Sequence, residues 1–245
     1  MRNVLKSIKN TEHGEINVVE ITAEVEEELQ MPVTVAMNDT AAEFNQLMFF
    51  YESGIAQLTS KLQILNKEFQ FCNDRNPIEN IKSRLKSPES IAKKMKKLAL
   101  PMNLNCLVTN LYDIAGVRVV CPFVSDVYQV AKMLVSQDDV ELLRVKDYIQ
   151  NPKENGYRSL HLIVTVNVYF SDSRRKVPVE VQLRTIAMNC WASLEHQLRY
   201  KKDYALTDEM QQELKRCAEE MSDADTRMQS LADELPGFTS TDTDW

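Results

Sequence analysis

Glycine and proline are scarce in this chain of 245 residues, which contains 5 of the first and 8 of the second. This scarcity excludes collagen-like and low-complexity proteins. Long apolar runs are also absent, since no stretch approaches the ~20 apolar residues of a membrane-spanning helix. The opening residues MRNVLKSIKN lack the apolar core of a secretory signal. We therefore expect a soluble intracellular protein without a membrane partner.

Cysteine is similarly sparse. The 5 cysteines are widely scattered and form no Cys-x-x-Cys pair, which argues against a zinc site and against a disulfide framework. Reduced thiols of this kind are typical of the cytosol, so we expect a cytoplasmic location. The hydrophobic share of 44% and the charged share of 27% are those of an ordinary folded protein.

Positive charge is in the minority, with 29 basic against 36 acidic residues and a net charge of −7. It is nevertheless concentrated between Lys82 and Lys97, where seven basic residues accompany a single acid, Glu89. General nucleic-acid binding needs a dominant basic face, so the composition does not favour a DNA-binding protein. One dense basic segment on an acidic chain is better suited to a small polyanion such as a nucleotide phosphate.

Two long helices are predicted, one on each side of a central region. Each carries apolar residues at alternating steps of four and three, the pattern of an amphipathic helix. Thr207 is the expected N-cap of the second helix and Pro236-Gly237 its end. We expect both helices to pack on their own domain, with part of this surface available for an oligomer contact. The apolar residues are Phe44, Met48, Tyr51, Ile55, Leu58, Leu62, Leu65 and Phe69 in the first helix, and Met210, Leu214, Cys217, Met221, Ala224, Met228, Leu231 and Leu235 in the second.

The central region alternates helices with strands, and its last two strands should pair antiparallel across a polar connection, Ser171–Lys176. The sequence thus predicts a mixed α/β (α+β) fold with a largely antiparallel central sheet flanked by helices. We expect an acidic extension over residues 1–38, one domain over 39–204, and a C-terminal helix and tail over 205–245. Helices are predicted over 87–98, 126–135 and 186–198, and strands over 116–121, 141–149, 160–168 and 177–183.

The basic segment forms the predicted helix that begins at Ser87. A helix N-terminus offers free amides and positive potential, both suited to phosphate. Two interpretations remain open, a phosphate site or a solvated lysine face, and the second is the commoner meaning of such a run. The candidate phosphate ligands are Ser90, Lys94 and Lys97 on one helix face, and Arg84 and Lys86 just ahead of the helix.

An acid and an arginine flank a glycine where the first predicted strand begins, in Asp113-Ile-Ala-Gly-Val-Arg118. The charge of Arg118 among valines is costly to bury unless it is used. Asp113 is a candidate ligand for Mg²⁺, which prefers a carboxylate together with phosphate oxygens. A turn aspartate and a structural ion-pair arginine remain the alternative. Regular alternation would place Asp113 and Arg118 on opposite sides, so a bulge at Gly116 is left open.

The loop that precedes the strand at 160–168 brings together Lys153, Tyr157 and Arg158, which form a set able to hold a phosphate and stack a base. His161 follows on the polar face of that strand, where a structural role remains the alternative to a catalytic one. On the last strand, Glu180 alternates with valines and shares its face with Gln182 and Arg184. An exposed sheet face explains this row, whereas a catalytic interpretation needs Glu180 beside a hydroxyl and a shared metal.

Taken in order, these motifs resemble those of a known family. The series R-L-K-x-x-x-S, D-I-A-G-V-R-V-V, N-P-K-x-N-G-Y-R-S-L-H, V-P-V-E-V-Q-L-R-T and M-x-x-W-A-x-x-E-H is similar to the synthetase domain of RelA/SpoT-type alarmone synthetases, over about Pro77 to Lys202. None of the 3 histidines is followed by aspartate. A His-Asp pair marks the hydrolase domain of the long family members. The chain therefore resembles a stand-alone small alarmone synthetase.

The resemblance implies transfer of pyrophosphate from ATP to the 3′-hydroxyl of GDP or GTP, which makes ppGpp or pppGpp, with Mg²⁺ as cofactor. It implies that Glu180 activates the hydroxyl and that Asp113 and Glu180 bind the metal. It also implies a homo-oligomer, a tetramer in relatives. By the same resemblance ATP is held by Arg84, Lys86, Ser90, Lys94, Lys97 and Arg118, and GDP or GTP by Lys146, Lys153, Asn155, Tyr157, His161 and Ala192.

The sequence departs from the family at three positions. Lys97 stands where relatives often carry arginine, which weakens bidentate phosphate contact but keeps the charge. Asn80 and Lys82 stand where some small synthetases have an aromatic and a hydroxyl residue of an allosteric alarmone pocket, so feedback regulation is not implied.

The alternative from another class is an inactive regulatory module that binds single-stranded RNA or nucleotides. The retained Asp113 and Glu180 argue against it, and another type of nucleotidyltransferase would need an Asp-x-Asp pair on a predicted strand.

Overall fold

The computed structural model describes residues 40–73, 75–200 and 206–235 of the chain. The predicted extension over 1–38 and the helix end at Pro236-Gly237 lie outside the described residues. None of the helices in the described ranges combines the length and apolar character needed to span a bilayer. In chain order the elements are α1 (Thr40–Asn73), β1 (Asn80–Leu85), α2 (Pro88–Lys97), α3 (Leu104–Asn110), β2 (Ala115–Cys121), α4 (Val124–Val135), β3 (Val140–Asp147), β4 (Leu160–Tyr169), β5 (Arg174–Thr185), α5 (Ile186–Tyr200) and α6 (Asp208–Asp233).

The strands form one sheet in the order β1-β2-β5-β4-β3. β2 and β5 pair parallel, while the other three neighbouring pairs are antiparallel. Val164 lies opposite Val179 and Leu162 opposite Val181, so the apolar sets of β4 and β5 share one face as their alternation predicts. The predicted mixed, largely antiparallel sheet is confirmed.

One face of the sheet is covered by α1 and α4, which also contact each other. The apolar stripe of α1 supplies much of this core, with Tyr51, Leu58 and Leu62 almost completely buried. The helix approaches β5 so closely that a Cβ atom on Gly54 would lie 2.6 Å from Cγ1 of Val177. Because the residues of each strand alternate between the two faces, the opposite face of the sheet carries the polar side chains.

Some strands and helices differ from the sequence prediction. The pattern does not predict β1 or α3, because β1 is an edge strand with few covered residues and α3 is very short. The connection predicted over Ser171–Lys176 is too long, since Arg174 already pairs with Tyr169 of β4. No bulge occurs at Gly116, because the pairing of β2 with β1 continues without a shift through that residue, and the pairing with β5 begins there in regular register.

The second predicted long helix is α6, and its N-cap is confirmed. The Thr207 hydroxyl accepts a hydrogen bond from the amide of Met210. α6 packs on the domain through one side, on which Ala218 and Ala232 are buried and Leu214, Cys217 and Met221 of the predicted stripe are partly buried. Met210 and Met228 remain exposed, so the prediction that the apolar stripe packs on its own domain is wrong for these residues.

Candidate active site

The register of the strands gathers separate motifs in one row on the polar face of the sheet. Lys82 of β1 lies opposite Arg118 of β2, and Arg118 lies opposite Gln182 of β5. Gln182 lies opposite His161 of β4, which lies opposite Lys146 of β3. Residues opposite one another in a sheet share a face, so this row crosses all five strands. Motifs far apart in the sequence therefore meet on one surface.

Asp113 lies immediately ahead of β2, where two lysines of the basic segment hold it. Its Oδ2 is 2.5 Å from Nζ of Lys86 and 2.6 Å from Nζ of Lys94. Burial alone raises the pKa of the Asp113 carboxyl, but the two ammonium groups outweigh burial and hold the pKa below its usual range. Oδ1 is buried and has no hydrogen-bond partner among the described residues.

The basic helix α2 begins as the sequence predicts. The Ser87 hydroxyl caps it by accepting a hydrogen bond from the amide of Ser90, at 3.3 Å. Lys94, one turn further along, reaches Asp113. Lys97 at the end of the helix and Arg84 on β1 are exposed. Among the residues predicted to bind ATP, Lys86 and Lys94 therefore contact Asp113, whereas Arg84 and Lys97 lie at the surface.

Arg118 is half-buried beside these groups. Burial lowers the pKa of its guanidinium, and the nearby cations Arg184 and Arg84 lower it further, while Tyr157 and Glu180 act in the opposite direction. Its Nε is buried without a hydrogen-bond partner in the described part of the chain. A guanidinium that is partly dehydrated and crowded by cations is well placed to contact an anion or the face of a base.

Glu180 is held at both carboxylate oxygens. Oε1 lies 3.2 Å from Nδ1 of His161, and Oε2 accepts a hydrogen bond from Nε2 of Gln182 at 2.8 Å. Burial raises the pKa of Glu180, but the contacts with His161 and Gln182 outweigh burial, so the pKa is lowered. The charge of Asp113 acts in the opposite direction and raises the pKa. Glu180 is therefore ionised at neutral pH, as a general base must be.

Tyr157 lies at the centre of a cluster of rings and cations. Nζ of Lys153 is 4.8 Å from the centre of its ring and 4.6 Å from that of Tyr148. The guanidinium carbon of Arg184 is 5.0 Å from the Tyr157 ring centre. The Tyr157 hydroxyl lies 2.8 Å from Nε2 of His161. An aromatic ring surrounded by cations is suited to stacking a base while holding its phosphates.

The loop that carries Tyr157 is fixed to α5. The side-chain oxygen of Asn155 accepts a hydrogen bond from the amide of Tyr157 at 3.2 Å, and its nitrogen donates to Glu195 at 3.4 Å. Ala192 is buried in a small cluster against which Tyr157 packs. Asn155 and Ala192, which are predicted to bind GDP or GTP, therefore support the Tyr157 ring. Asn155 does so from the loop and Ala192 from α5.

The same loop rests on α6. Gly156 has a φ of +87°, and a Cβ atom there would lie 2.6 Å from Cβ of Ala218 and 3.5 Å from Cα of Lys215. The indole of Trp191 on α5 donates to the carbonyl oxygen of Leu214 at 2.8 Å, which ties the two helices together. Glycine is thus required at this position by both its conformation and the close approach of α6.

Sequence reasoning places some residues incorrectly and misses others. Arg158 does not join the cluster around Tyr157, because it lines a small cavity between the loop, α5 and α6. The sequence assigns no role to Tyr148 at the end of β3, although its ring packs edge-on against His161 with centres 5.2 Å apart. Glu195 stands in a quoted motif without an assigned role. The alternation with valines places Gln182 and Arg184 on the same face as Glu180, but the sequence assigns neither of them a role in the site.

Asp113 and Glu180 are the candidate metal ligands, and their chemistry fits Mg²⁺. The buried, unpaired Oδ1 of Asp113 is an acceptor that a cation would satisfy. Among the described residues no group of three acidic, histidine or cysteine side chains could hold a metal ion. Mg²⁺ commonly takes one or two carboxylates together with substrate phosphates. The residues therefore fit an ion that binds with a nucleotide.

Comparison with known proteins gives a consistent result. A family model described as "Region found in RelA / SpoT proteins" matches residues 83–205. The chain is 40% identical to the GTP pyrophosphokinase YwaC of Bacillus subtilis, over 78% of this chain and 90% of that protein. The crystal structure of small alarmone synthetase 2 from Bacillus subtilis matches with a TM-score of 0.72 at 39% identity, covering 79% of this chain and all 100% of the other. Small alarmone synthetase 1 from the same organism, bound to its product pppGpp, matches with a TM-score of 0.73 at 32% identity, covering 79% and 98%.

Proposed function

The chain belongs to the RelA/SpoT family, and from this premise we propose that it is a GTP pyrophosphokinase that makes (p)ppGpp. It transfers pyrophosphate from ATP to the 3′-hydroxyl of GDP or GTP, as a synthetase and not as a hydrolase. The observation that carries the proposal is the placement of Asp113, Glu180 and Tyr157: Glu180 and Tyr157 both contact His161 on the polar face of the sheet, and two lysines hold Asp113 just ahead of β2, the strand that pairs with the strand of Glu180. Each supplies a function that such a transfer needs, namely metal binding, proton removal and base stacking.

The donor half of the proposed site is built from α2, β1 and the start of β2. Lys86 and Lys94 lie at Asp113, where they would contact the phosphates of ATP and the charge that develops on them during transfer. Ser90, Lys97 and Arg84 would complete the ATP site around them. Arg118, on the polar face of the sheet, would stack with Arg84 on the adenine base.

The acceptor half is built from the loop after β3 and from β4. Tyr157 would stack on guanine, with Lys153, Lys146 and His161 beside it and with Asn155 and Ala192 supporting the ring. Glu180 would accept the proton of the 3′-hydroxyl as its oxygen attacks the β-phosphorus of ATP. The bond from the β-phosphorus to the oxygen that bridges it to the α-phosphorus breaks, and AMP leaves.

Mg²⁺ would be held by Asp113 and Glu180, where it would neutralise charge on the phosphates. The lowered pKa of each carboxyl keeps both groups ionised for this purpose. Lys86 and Lys94 hold one oxygen of Asp113 and leave the other, Oδ1, unpaired. The residues of the chain therefore orient the acid that would bind the ion.

A label-transfer assay tests the reaction. Purified protein is incubated with Mg²⁺, γ-labelled ATP and GDP, and the nucleotides are separated by chromatography. We expect the label in guanosine tetraphosphate, with AMP formed in equal amount. A folded protein that binds ATP but transfers nothing to GDP, GTP or GMP would contradict the proposal, and would favour the inactive module that binds nucleotides or single-stranded RNA.

Glu180→Gln tests the proposed base. The amide cannot take up the proton, so we expect kcat to fall by about 10²-fold or more while ATP and GDP still bind. Glu141→Gln is the matched control, because Glu141 lies on β3 and pairs with Lys176 rather than with the site. Turnover retained in Glu180→Gln would remove Glu180 from the mechanism.

Three further proposals follow from the family. The chain forms a homotetramer, acts in the cytoplasm, and is organised as an extension over 1–38, a synthetase domain over 39–204 and a tail over 205–245. Light scattering of the purified protein tests the tetramer. Single-stranded RNA is a further candidate ligand of the basic helix, and salt-sensitive binding of a labelled oligonucleotide would support it.

A further inference from the structure

A closed circuit of five side chains joins the ring of the proposed acceptor site to the proposed base. Nη2 of Arg184 donates to Oε1 of Gln182 at 3.0 Å and to the Tyr157 hydroxyl at 2.5 Å. Gln182 donates to one oxygen of Glu180 at 2.8 Å. His161, 2.8 Å from the Tyr157 hydroxyl, lies 3.2 Å from the other oxygen. Two arms therefore run from Arg184 to the two oxygens of Glu180.

Arg184 sets the direction of the hydrogen bonds in this circuit, because a guanidinium donates and never accepts. Gln182 must turn its carbonyl oxygen toward Arg184, which leaves its amide hydrogens for Glu180. Tyr157 must offer a lone pair to Arg184, which leaves its hydroxyl hydrogen for Nε2 of His161. A His161 ring that accepts this hydrogen at Nε2 carries its own hydrogen on Nδ1, which lies 3.2 Å from Oε1 of Glu180. All donors along both arms point toward Glu180.

Because Arg184 is buried, its guanidinium hydrogens need hydrogen-bond partners within the protein. The residue is only 4% exposed, and a buried cation is costly unless its hydrogens are bonded. Its Nε donates to the Ser159 hydroxyl at 3.3 Å, and that hydroxyl donates to the carbonyl oxygen of Leu183 at 3.1 Å. The hydrogen-bond partners of Arg184 within the described residues are thus neutral groups. Such an arrangement gives little stability by itself, but it orients each neutral partner.

We propose that Arg184 is a positioning residue that couples the ring of Tyr157 to the carboxylate of Glu180. The proposal rests on the proposed role of Glu180 as the base and adds a mechanism by which the acceptor site aims it. When a guanine base fixes the Tyr157 ring, Arg184 and both arms are fixed with it. Loss of Arg184 leaves the side chains of Gln182 and Tyr157 free to rotate. The Glu180 carboxylate is then no longer held in the orientation that faces the 3′-hydroxyl.

The substitutions Arg184→Met and Arg184→Lys test the coupling under saturating ATP and GDP. Arg184→Met removes all donors, and Arg184→Lys keeps the charge but loses the planar fork. We expect kcat to fall by about 10- to 100-fold in Arg184→Met and by less in Arg184→Lys, with KM for ATP unchanged. The matched control is Arg175→Met, because Arg175 lies on the same strand far from the site, over the ring of Phe50 at 4.4 Å. We expect the control to keep its kcat.

A double-mutant cycle separates positioning from a merely structural role. Tyr157→Phe breaks one arm while keeping the ring, and Gln182→Met breaks the other arm. Each should lower kcat in the natural background and add little in the Arg184→Met background, because both arms have already lost their direction. If the fold-changes in kcat of the single variants simply multiply in the double variants, the inference is overturned. It is also overturned if Arg184→Met has the same kcat as the Arg175→Met control.

The same experiments distinguish this inference from the proposed function. A natural protein that transfers no label contradicts the proposed function itself. An active protein whose kcat is insensitive to Arg184 contradicts the coupling alone. If Arg184→Met does not fold, Arg184→Lys and the double variant Tyr157→Phe/Gln182→Met decide. Both arms begin at Arg184, so the fold-changes in kcat of Tyr157→Phe and Gln182→Met should not simply multiply in the double variant.

Discussion

Replacement of Gly156 by alanine should damage the acceptor site through the contact with α6. Alanine at a φ of +87° is strained, at a cost of about 1–2 kcal/mol. Its Cβ would also lie 2.6 Å from Cβ of Ala218, whereas carbon atoms in contact are ordinarily about 3.5–4.0 Å apart. The two segments must therefore separate by about 1 Å.

The loop, rather than α6, should give way. α6 is anchored to the domain by the hydrogen bond from Thr185 to Asp225, at 2.5 Å, and by the bond from the Trp191 indole to the Leu214 carbonyl. Tyr157 follows Gly156 directly in the chain, so the proposed stacking ring moves with the loop. A displacement of about 1 Å can lower a rate by about 10²-fold.

Steady-state assays with varied GDP and saturating ATP measure this effect. We expect kcat/KM for GDP to fall by about 10- to 100-fold in Gly156→Ala, with KM for ATP unchanged. Adding Ala218→Gly should restore part of the loss, because it removes the close contact but not the strain at φ. Ala232→Gly, at another buried position of α6, controls for the cost of a helical glycine. An unchanged kcat/KM for GDP, or a raised KM for ATP, would refute the reasoning.

Three further predictions concern stability and can be measured by urea unfolding. Because the pKa of Asp113 is lowered in the folded protein, its stabilisation is present above about pH 4 and is lost as pH falls through the folded pKa; Asp113→Asn should flatten this part of the profile, and an unaltered profile would contradict it. Arg75→Met leaves the fully buried Asp126 without its bidentate partner and should cost about 3–5 kcal/mol; a cost below about 1 kcal/mol would show that the pair contributes little. Gly54→Ala should cost about 1–3 kcal/mol by overpacking against Val177, and failure of Val177→Ala to recover part of this cost would contradict the packing explanation.

Sequence periodicity predicts the elements whose apolar side is buried. The stripe of α1 and the alternation in β4 and β5 are confirmed because burial against one core imposes a regular spacing. β1 escapes prediction because an edge strand with charged residues has little buried surface to impose a pattern. The exposure of Met228 is equally unpredictable, since a stripe indicates an apolar helix face but not how much of that face is covered.

The candidate site follows from sequence only in part, for a related reason. Asp113, Glu180 and Tyr157 stand in motifs that resemble a known family, and the structure places Glu180 and Tyr157 in contact with the same side chain, His161. The contact of Lys86 with Asp113 depends on how β1 pairs with β2, which spacing alone does not determine. The hydrogen bonds of Arg184 depend likewise on side-chain geometry across three separate segments.

The parallel pairing of β2 with β5 bears on how the chain gains activity as it folds. α4, β3 and β4 all lie between these two strands in the sequence, so their pairing closes a long loop. Contacts between distant segments form late because the entropy of loop closure must first be overcome. Asp113 lies ahead of one strand and Glu180 on the other, so they come together only when this pairing is complete. A partly folded chain in which only β1 has paired with β2, or only β4 with β5, would therefore have no turnover.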